Sequence, residues 1–199
     1  MATIRSRGRL PHWEADHAIY FVTFRLADSL PRAVLRAYEL ERQSIMAAAL
    51  AARREFSPSE QKRLKTLFSE KIESNLDAGA GHCYLAKQAV ADVVVEALRH
   101  FDLARYRLHS WCVMPNHVHV LFRLLGSRKL AGALHSWKSY SALRANSLLG
   151  LSGEFWQREY YDHLVRSEEE FYRIVEYIVR NPEKAGLRDW RWVGAQMER

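Results

Sequence analysis

His117-Val118-His119-Val120-Leu121-Phe122 alternates with a period of two. That period belongs to a β-strand, on which successive side chains point to opposite faces. His117 and His119 then share one face, while Val118, Val120 and Phe122 fill the other. The chain must therefore fold around a strand with one apolar side and one side that carries two imidazoles. Neutral imidazoles side by side on a rigid strand suit a divalent metal once a third ligand arrives from elsewhere. Nine histidines in 199 residues give about 0.4 His-x-His pairs by chance, so the pair needs support from the rest of the chain.

The other segments build an architecture around this strand. Ala18 to Leu26 is rich in β-branched and aromatic residues and reads as a strand. Asp28-Ser29-Leu30-Pro31 supplies a cap and a first-turn proline for a helix from Pro31 to Arg54, with Val34, Leu35, Tyr38, Ile45 and Met46 as its stripe. Glu41 and Arg42 interrupt that stripe. A second, charged helical piece follows from about Ser57 to Ile72, and Asn75 to Gly81 reads as a loop. Val90, Val93, Val94, Ala97, Leu98 and Phe101 mark an amphipathic helix from Lys87 to Phe101. Tyr106 to Val113 and His117 to Leu124 form a hairpin across Met114-Pro115-Asn116. Leu130 to Leu149 is helical, Phe155 to Arg166 is extended and ends in a strand, and Ser167 caps a further helix. Pro182 is expected to end that helix at Asn181. The fold class that follows is α+β, an antiparallel sheet with helices packed on one face. The expected organisation is one domain over 1–199, with a helical insertion at 31–81 and a basic arm at 1–10.

Composition narrows the function. Thirty Lys plus Arg against 23 Asp plus Glu leave +7, the electrostatic footprint of a nucleic-acid binder. Arginine dominates, which suits bidentate phosphate contacts. Arg5, Arg7 and Arg9 alternate along the N-terminal arm, either solvated or laid on a phosphate backbone. No apolar run approaches a membrane span and no signal peptide is evident, so the expected location is cytoplasmic. Cys83 and Cys112 lack the spacing of a metal knuckle and read as thiols. Asn75 to Gly81 lacks the Lys-Ser/Thr of a phosphate-binding loop.

The last helix offers a partner for the histidines. Phe171, Ile174, Val175 and Ile178 form its apolar stripe, and Tyr177 and Asn181, four residues apart, stack on one flank. A phenol and an amide would reach the same place. Tyr177 is a nucleophile candidate there if the helix packs near the histidine face, and a half-buried core tyrosine otherwise.

Met114 to Leu121, taken with Tyr177-Ile178-Val179-Arg180-Asn181-Pro182-Glu183-Lys184-Ala185-Gly186-Leu187, resembles the REP-associated tyrosine transposases. These are relatives of the single-tyrosine (HUH-type) transposases of small bacterial insertion sequences. Trp156-Gln157, Asp162 to Arg166 and the strand Ala18 to Leu26 add to the resemblance. It covers most of the chain except about Pro31 to Gly81, which looks longer than the family's minimum.

What the resemblance implies is a ferredoxin-like core and metal-dependent cleavage and strand transfer on single-stranded or hairpin DNA. On that reading His117 and His119 hold Mg²⁺ or Mn²⁺, with Asn181 or a water completing the shell. Tyr177 attacks phosphorus, releases a 3′-hydroxyl and leaves a 5′-phosphotyrosine. Tyr140, beside Lys138 on the Leu130 helix, is the second nucleophile candidate. Arg5, Arg7, Arg123, Lys138, Arg158, His163 and Arg166 are the DNA-contact candidates. The implied partner is DNA, the location the nucleoid, and the state a monomer or a homodimer. A domesticated hairpin-DNA-binding protein without catalysis is the alternative, and a metal-dependent hydrolase with a structural Tyr177 is a third reading.

Overall fold

Two short strands open the chain. In this computed structural model, which describes residues 3–7, 10–14, 18–52, 54, 56–68, 72 and 74–196, β1 (Thr3–Arg7) pairs antiparallel with β2 (Leu10–Glu14). The stretch expected as a basic arm therefore has strand backbone; the side chains of Arg5 and Arg7, and all of Arg9, lie outside the described residues.

Five further strands form one antiparallel sheet. They are β3 (Ile19–Arg25), β4 (Tyr106–Val113), β5 (His117–Leu124), β6 (Tyr161–Leu164) and β7 (Val193–Ala195). Their order across the sheet is β6-β3-β5-β4-β7. The expected α+β antiparallel architecture is present, and the hairpin β4–β5 turns where Met114-Pro115-Asn116 predicts. Backbone bonds from Met114 N to His117 O (2.8 Å) and from Leu26 N to Asn116 O (2.9 Å) hold that turn.

The helices expected on one face are shared between two. Helices α4 (Gln88–Arg99) and α5 (Leu130–Leu149) cover the face that carries Tyr20, Val22, Phe24, Val118, Val120 and Phe122. Helix α6 (Glu168–Lys184) covers the opposite face, over Phe21, Cys112, Met114 and Leu121. The reason is compositional: apolar residues stand beside the histidines on that second face too, so it also requires a cover. In the main core, polar tips of large rings are satisfied internally. Trp137 Nε1 donates to Tyr106 OH (2.7 Å), which donates to Leu98 O (2.8 Å). Trp156 Nε1 donates to Ser141 Oγ (2.9 Å) in the same layer.

Helix α6 corrects one expectation. It does not stop at Asn181 but runs through Pro182 to Lys184. Proline removes only its own N–H, and the turn closes beyond it with Ala185 N to Asn181 O (3.1 Å). Leu187 N to Pro182 O and Gly186 N to Glu183 O, both 2.9 Å, then form a Schellman end with Gly186 at φ +73°. Thus Asn181 is held on the helix surface, one turn after Tyr177.

The strand β7 is not legible in the sequence. It has three residues, and Gly194 permits its approach: a Cβ there would lie 2.7 Å from Trp111 Cε2. Gly194→Ala is expected to lower stability by about 1–3 kcal/mol, because the buried indole cannot yield without disturbing its neighbours. Urea denaturation of the two proteins measures this.

Contacts divide the chain into two compact units, residues 28–82 and the remainder. The 28–82 unit holds α1 (Arg32–Ala51), α2 (Pro58–Phe68) and the short α3 (Ser74–Asp77), the last overlapping the stretch Asn75 to Gly81 expected as a loop. Val34, Leu35, Tyr38, Ile45 and Met46 are half-buried as their spacing predicts, but Arg42 joins them in burial and does not interrupt the stripe. The segment Asp28-Ser29-Leu30-Pro31 was expected to supply a cap for α1. Instead Pro31 holds the cap position without a side-chain bond, and Asp28 accepts from His82 N (2.8 Å) and pairs with its Nδ1 (2.6 Å). Among the described residues no helix is long and apolar enough to cross a membrane.

Candidate functional site

The register of three strands assembles one polar patch. Thr23 of β3 and Cys112 of β4 flank His119 of β5, and Arg25 stands opposite His117. Alternation sends all of these side chains, with Phe21, to the face beneath α6. Both histidines are fully buried, and so is Asn116. The imidazoles meet with their Nε2 atoms 3.0 Å apart.

Their outer nitrogens are held by neighbours that sequence reasoning missed. His117 Nδ1 lies 2.7 Å from Asn116 Oδ1, and His119 Nδ1 lies 2.8 Å from Thr23 Oγ1. The Asn116 carbonyl can only accept, so His117 donates from Nδ1 and keeps a bare lone pair on Nε2. Thr23 can donate or accept, so it supports either tautomer of His119. Without a cation, His119 Nε2–H points at the His117 lone pair. To hold one, both Nε2 atoms would have to offer lone pairs.

Burial keeps both rings neutral. Desolvation drives the His117 pKa down to about 3. The same desolvation, with the charge of His117 as a lesser cause, holds His119 well below its ordinary value. Protons therefore do not compete for these nitrogens near neutral pH. The linkage has a definite sign: unfolded histidine binds protons below about 6.5, whereas the folded pair does not. Their contribution to stability is present above that pH and is lost as pH falls toward about 3. Each histidine is expected to cost about 1.4 kcal/mol per pH unit between roughly pH 6 and 4. Urea titrations across that range should show His117→Gln flattening the slope relative to the parent protein.

Helix α6 brings Tyr177 to the pair. Its hydroxyl lies 3.3 Å from His119 Nε2, and its ring packs edge-on against His119 (5.3 Å between centroids) and Phe21 (5.9 Å). Phe21 in turn stacks on His119 at 5.6 Å. Lys184, two turns after Tyr177, places Nζ 5.5 Å from the centre of the phenol ring. Asn181 is buried on the same helix, and its Oδ1 has no hydrogen-bond partner among the described residues.

The donor set fits a divalent cation. Two nitrogens 3.0 Å apart match adjacent ligands at about 2.1 Å from one ion, and an amide oxygen left without a partner suits a third position. Among the described residues no three of His, Cys, Asp and Glu cluster as a metal cage. Cys112 shares the face, but burial raises its pKa and it donates to Met114 Sδ at 3.5 Å. Its environment opposes the thiolate a metal needs.

The remaining sequence candidates lie elsewhere. Tyr140 donates to Glu96 Oε1 at 2.6 Å on the α4–α5 side of the sheet, away from the histidines. Lys138 Nζ donates to Gln157 O and Arg158 O, both 2.8 Å, and desolvation lowers its pKa to about 8. It thus holds the segment before β6. His163 Nε2 meets Glu170 Oε1 at 2.9 Å in the first turn of α6. Arg158 and Arg166 are exposed, while Arg123 is half-buried on the α6 face of β5. Thr23, Phe21 and Arg25 share the period of the opening strand, and Asn116 adjoins His117, but only the strand register shows that they meet the site.

Several known proteins are similar to this chain. Residues 85–181 match the family described as "Transposase IS200 like". An uncharacterized protein of Haemophilus influenzae is 27% identical over 105 residues, spanning 38% of this chain and 54% of that protein. The chain thus matches about half the length of this relative. Among solved structures, a REP-associated tyrosine transposase bound to a REP hairpin covers 95% of this chain and 82% of its own, at TM-score 0.51 and 16% identity. A candidate transposase from Deinococcus radiodurans covers 89% of this chain and 96% of its own, at TM-score 0.43 and 16% identity. The first shares the fold. The matched segment 85–181 holds the histidine pair, Tyr177 and Asn181, and over that segment the chain is similar to the IS200-like transposase family.

Proposed function

We propose that this protein cleaves and rejoins single-stranded DNA through a 5′-phosphotyrosine on Tyr177, on hairpin or palindromic substrates, as a REP-associated tyrosine transposase does. The observation that carries this reading is the Tyr177 hydroxyl 3.3 Å from His119 Nε2. His117, His119 and the Asn181 carbonyl would hold Mg²⁺ or Mn²⁺. When bound, the ion supplies Lewis-acid stabilisation of charge on the scissile phosphate.

The protein's own residues do the rest. Phe21 and His119 fix the phenol ring from two sides, so its oxygen is presented in one orientation. The Lys184 ammonium over the ring favours the developing phenolate. The Tyr177 oxygen bonds to phosphorus as the P–O3′ bond breaks; the phenol proton is lost and the departing 3′ oxygen gains one. Attack by a new 3′-hydroxyl reverses these steps, so phosphodiester energy is conserved and no nucleotide triphosphate is consumed.

The test is to trap the adduct. Hairpin oligonucleotides incubated with the protein and Mn²⁺ should give a denaturant-resistant protein–DNA species. Binding without an adduct would instead identify a silent hairpin binder, and cleavage without one a hydrolase.

A further inference from the structure

A cavity lies under the first half of α6, on the same sheet face as the histidines but nearer the far end of β5. Its volume is about 420 Å³, and Arg123, His109, Arg166, Glu168, Phe171 and Tyr172 help to line it. That volume falls within the range of sites for small organic ligands. We propose that it receives one unpaired nucleotide of the DNA strand on which Tyr177 acts; the substrate class rests on the transposase reading above.

Three features point to a nucleotide. Arg123 Nε is buried and has no hydrogen-bond partner among the described residues. A guanidinium donor shut away from water calls for an acceptor, and a phosphate or base oxygen supplies one. Arg123 and Arg166 against Glu168 leave one net positive charge in the lining. Aromatic faces complete the set: Phe171 stands edge-on to His109 at 5.1 Å and 85°, and Tyr172 is 49% exposed at the rim. A half-exposed phenol beside a half-buried and an exposed guanidinium is the pairing that stacks a base while the backbone is held.

Position adds specificity. Phe171 precedes Tyr177 by six residues on α6, an axial rise of about 9 Å. That distance corresponds to two or three nucleotides of strand. The base in the cavity is therefore a near neighbour of the cleaved phosphate, and the protein itself reads it.

Photocrosslinking tests this on the full-length chain. Hairpin oligonucleotides carrying 5-iododeoxycytidine at each single-stranded position in turn are irradiated with the protein, and the linked peptide is mapped. The expected result is a link to the peptide with Phe171 and Tyr172 from one position only. Tyr172→Ala should weaken strand binding about tenfold while Tyr172→Phe retains it. Arg123→Gln should weaken it about tenfold and reduce the salt slope by about one. Links confined to other peptides, with Tyr172→Ala within twofold of the parent, overturn the cavity assignment. If the Tyr177 adduct still forms in that case, the transposase reading survives. A link at Tyr172 without any adduct would keep the cavity and remove the strand-transfer reading, and the absence of both overturns both.

Discussion

Tyr177→Phe is expected to abolish the covalent protein–DNA adduct, lowering strand cleavage on the order of 10⁴-fold or more. The substitution deletes one oxygen and keeps the ring that packs on His119 and Phe21. Stability should therefore shift by less than about 1 kcal/mol, the hydroxyl being only part-buried with a 3.3 Å contact. Hairpin affinity should change little, because on the proposed reading Tyr177 would meet the strand only at one phosphate. Denaturing gels after incubation with labelled hairpin and Mn²⁺ read the adduct, and thermal melts read the fold. Retention of the adduct by the phenylalanine variant would remove Tyr177 as the nucleophile. Tyr140 would not replace it, because its hydroxyl is engaged with Glu96 on the other side of the sheet.

His119→Ala is expected to remove Mn²⁺-dependent cleavage by about 10³-fold, and chelation of the metal should reproduce that loss in the parent protein. The loss has two sources, a missing nitrogen ligand and a missing ring against Tyr177 and Phe21. Thr23→Val separates orientation from ligation. Valine keeps the volume but cannot bond His119 Nδ1, which Thr23 Oγ1 approaches at 2.8 Å. Loss of such a partner typically costs 10–100-fold in metal affinity, so Thr23→Val should raise the Mn²⁺ concentration for half-maximal adduct formation by that factor. The DNA must be present in this titration. Imidazoles and an amide form a modest ligand set, and phosphate oxygens would complete the shell of a hard cation. If Thr23→Val leaves the Mn²⁺ dependence unchanged, the hydroxyl orients nothing.

Low pH should act on the same pair through protonation. Two imidazoles kept neutral by burial must accept protons when the protein unfolds in acid, so stability falls below about pH 6, while metal binding by the folded protein should hold until pH approaches about 3.

Local pattern determined much of this protein. Period-two alternation placed His117 and His119 on one face of a strand, and the turn residues before them predicted the β4–β5 hairpin. The apolar spacing of α4 and α6 likewise identified helices and their buried sides. Each of these signals is carried by residues close in sequence, where the geometry of strand or helix dictates which side chains align.

The tertiary structure decided what those local signals leave open. Tyr177 is 58 residues from His119 in the chain, and only the packing of α6 on the second sheet face brings the hydroxyl to the imidazole. Thr23 is 96 residues away and meets the same ring through the β3–β5 register. Pro182 favours a helix end by local rules, yet packing and the Schellman turn carry α6 past it and hold Asn181 in helical position. The strand β7 is too short to show a period, and exists because Gly194 fits against Trp111. Sequence spacing specifies the face on which a side chain lies; which faces meet is decided by burial of apolar surface across the whole chain.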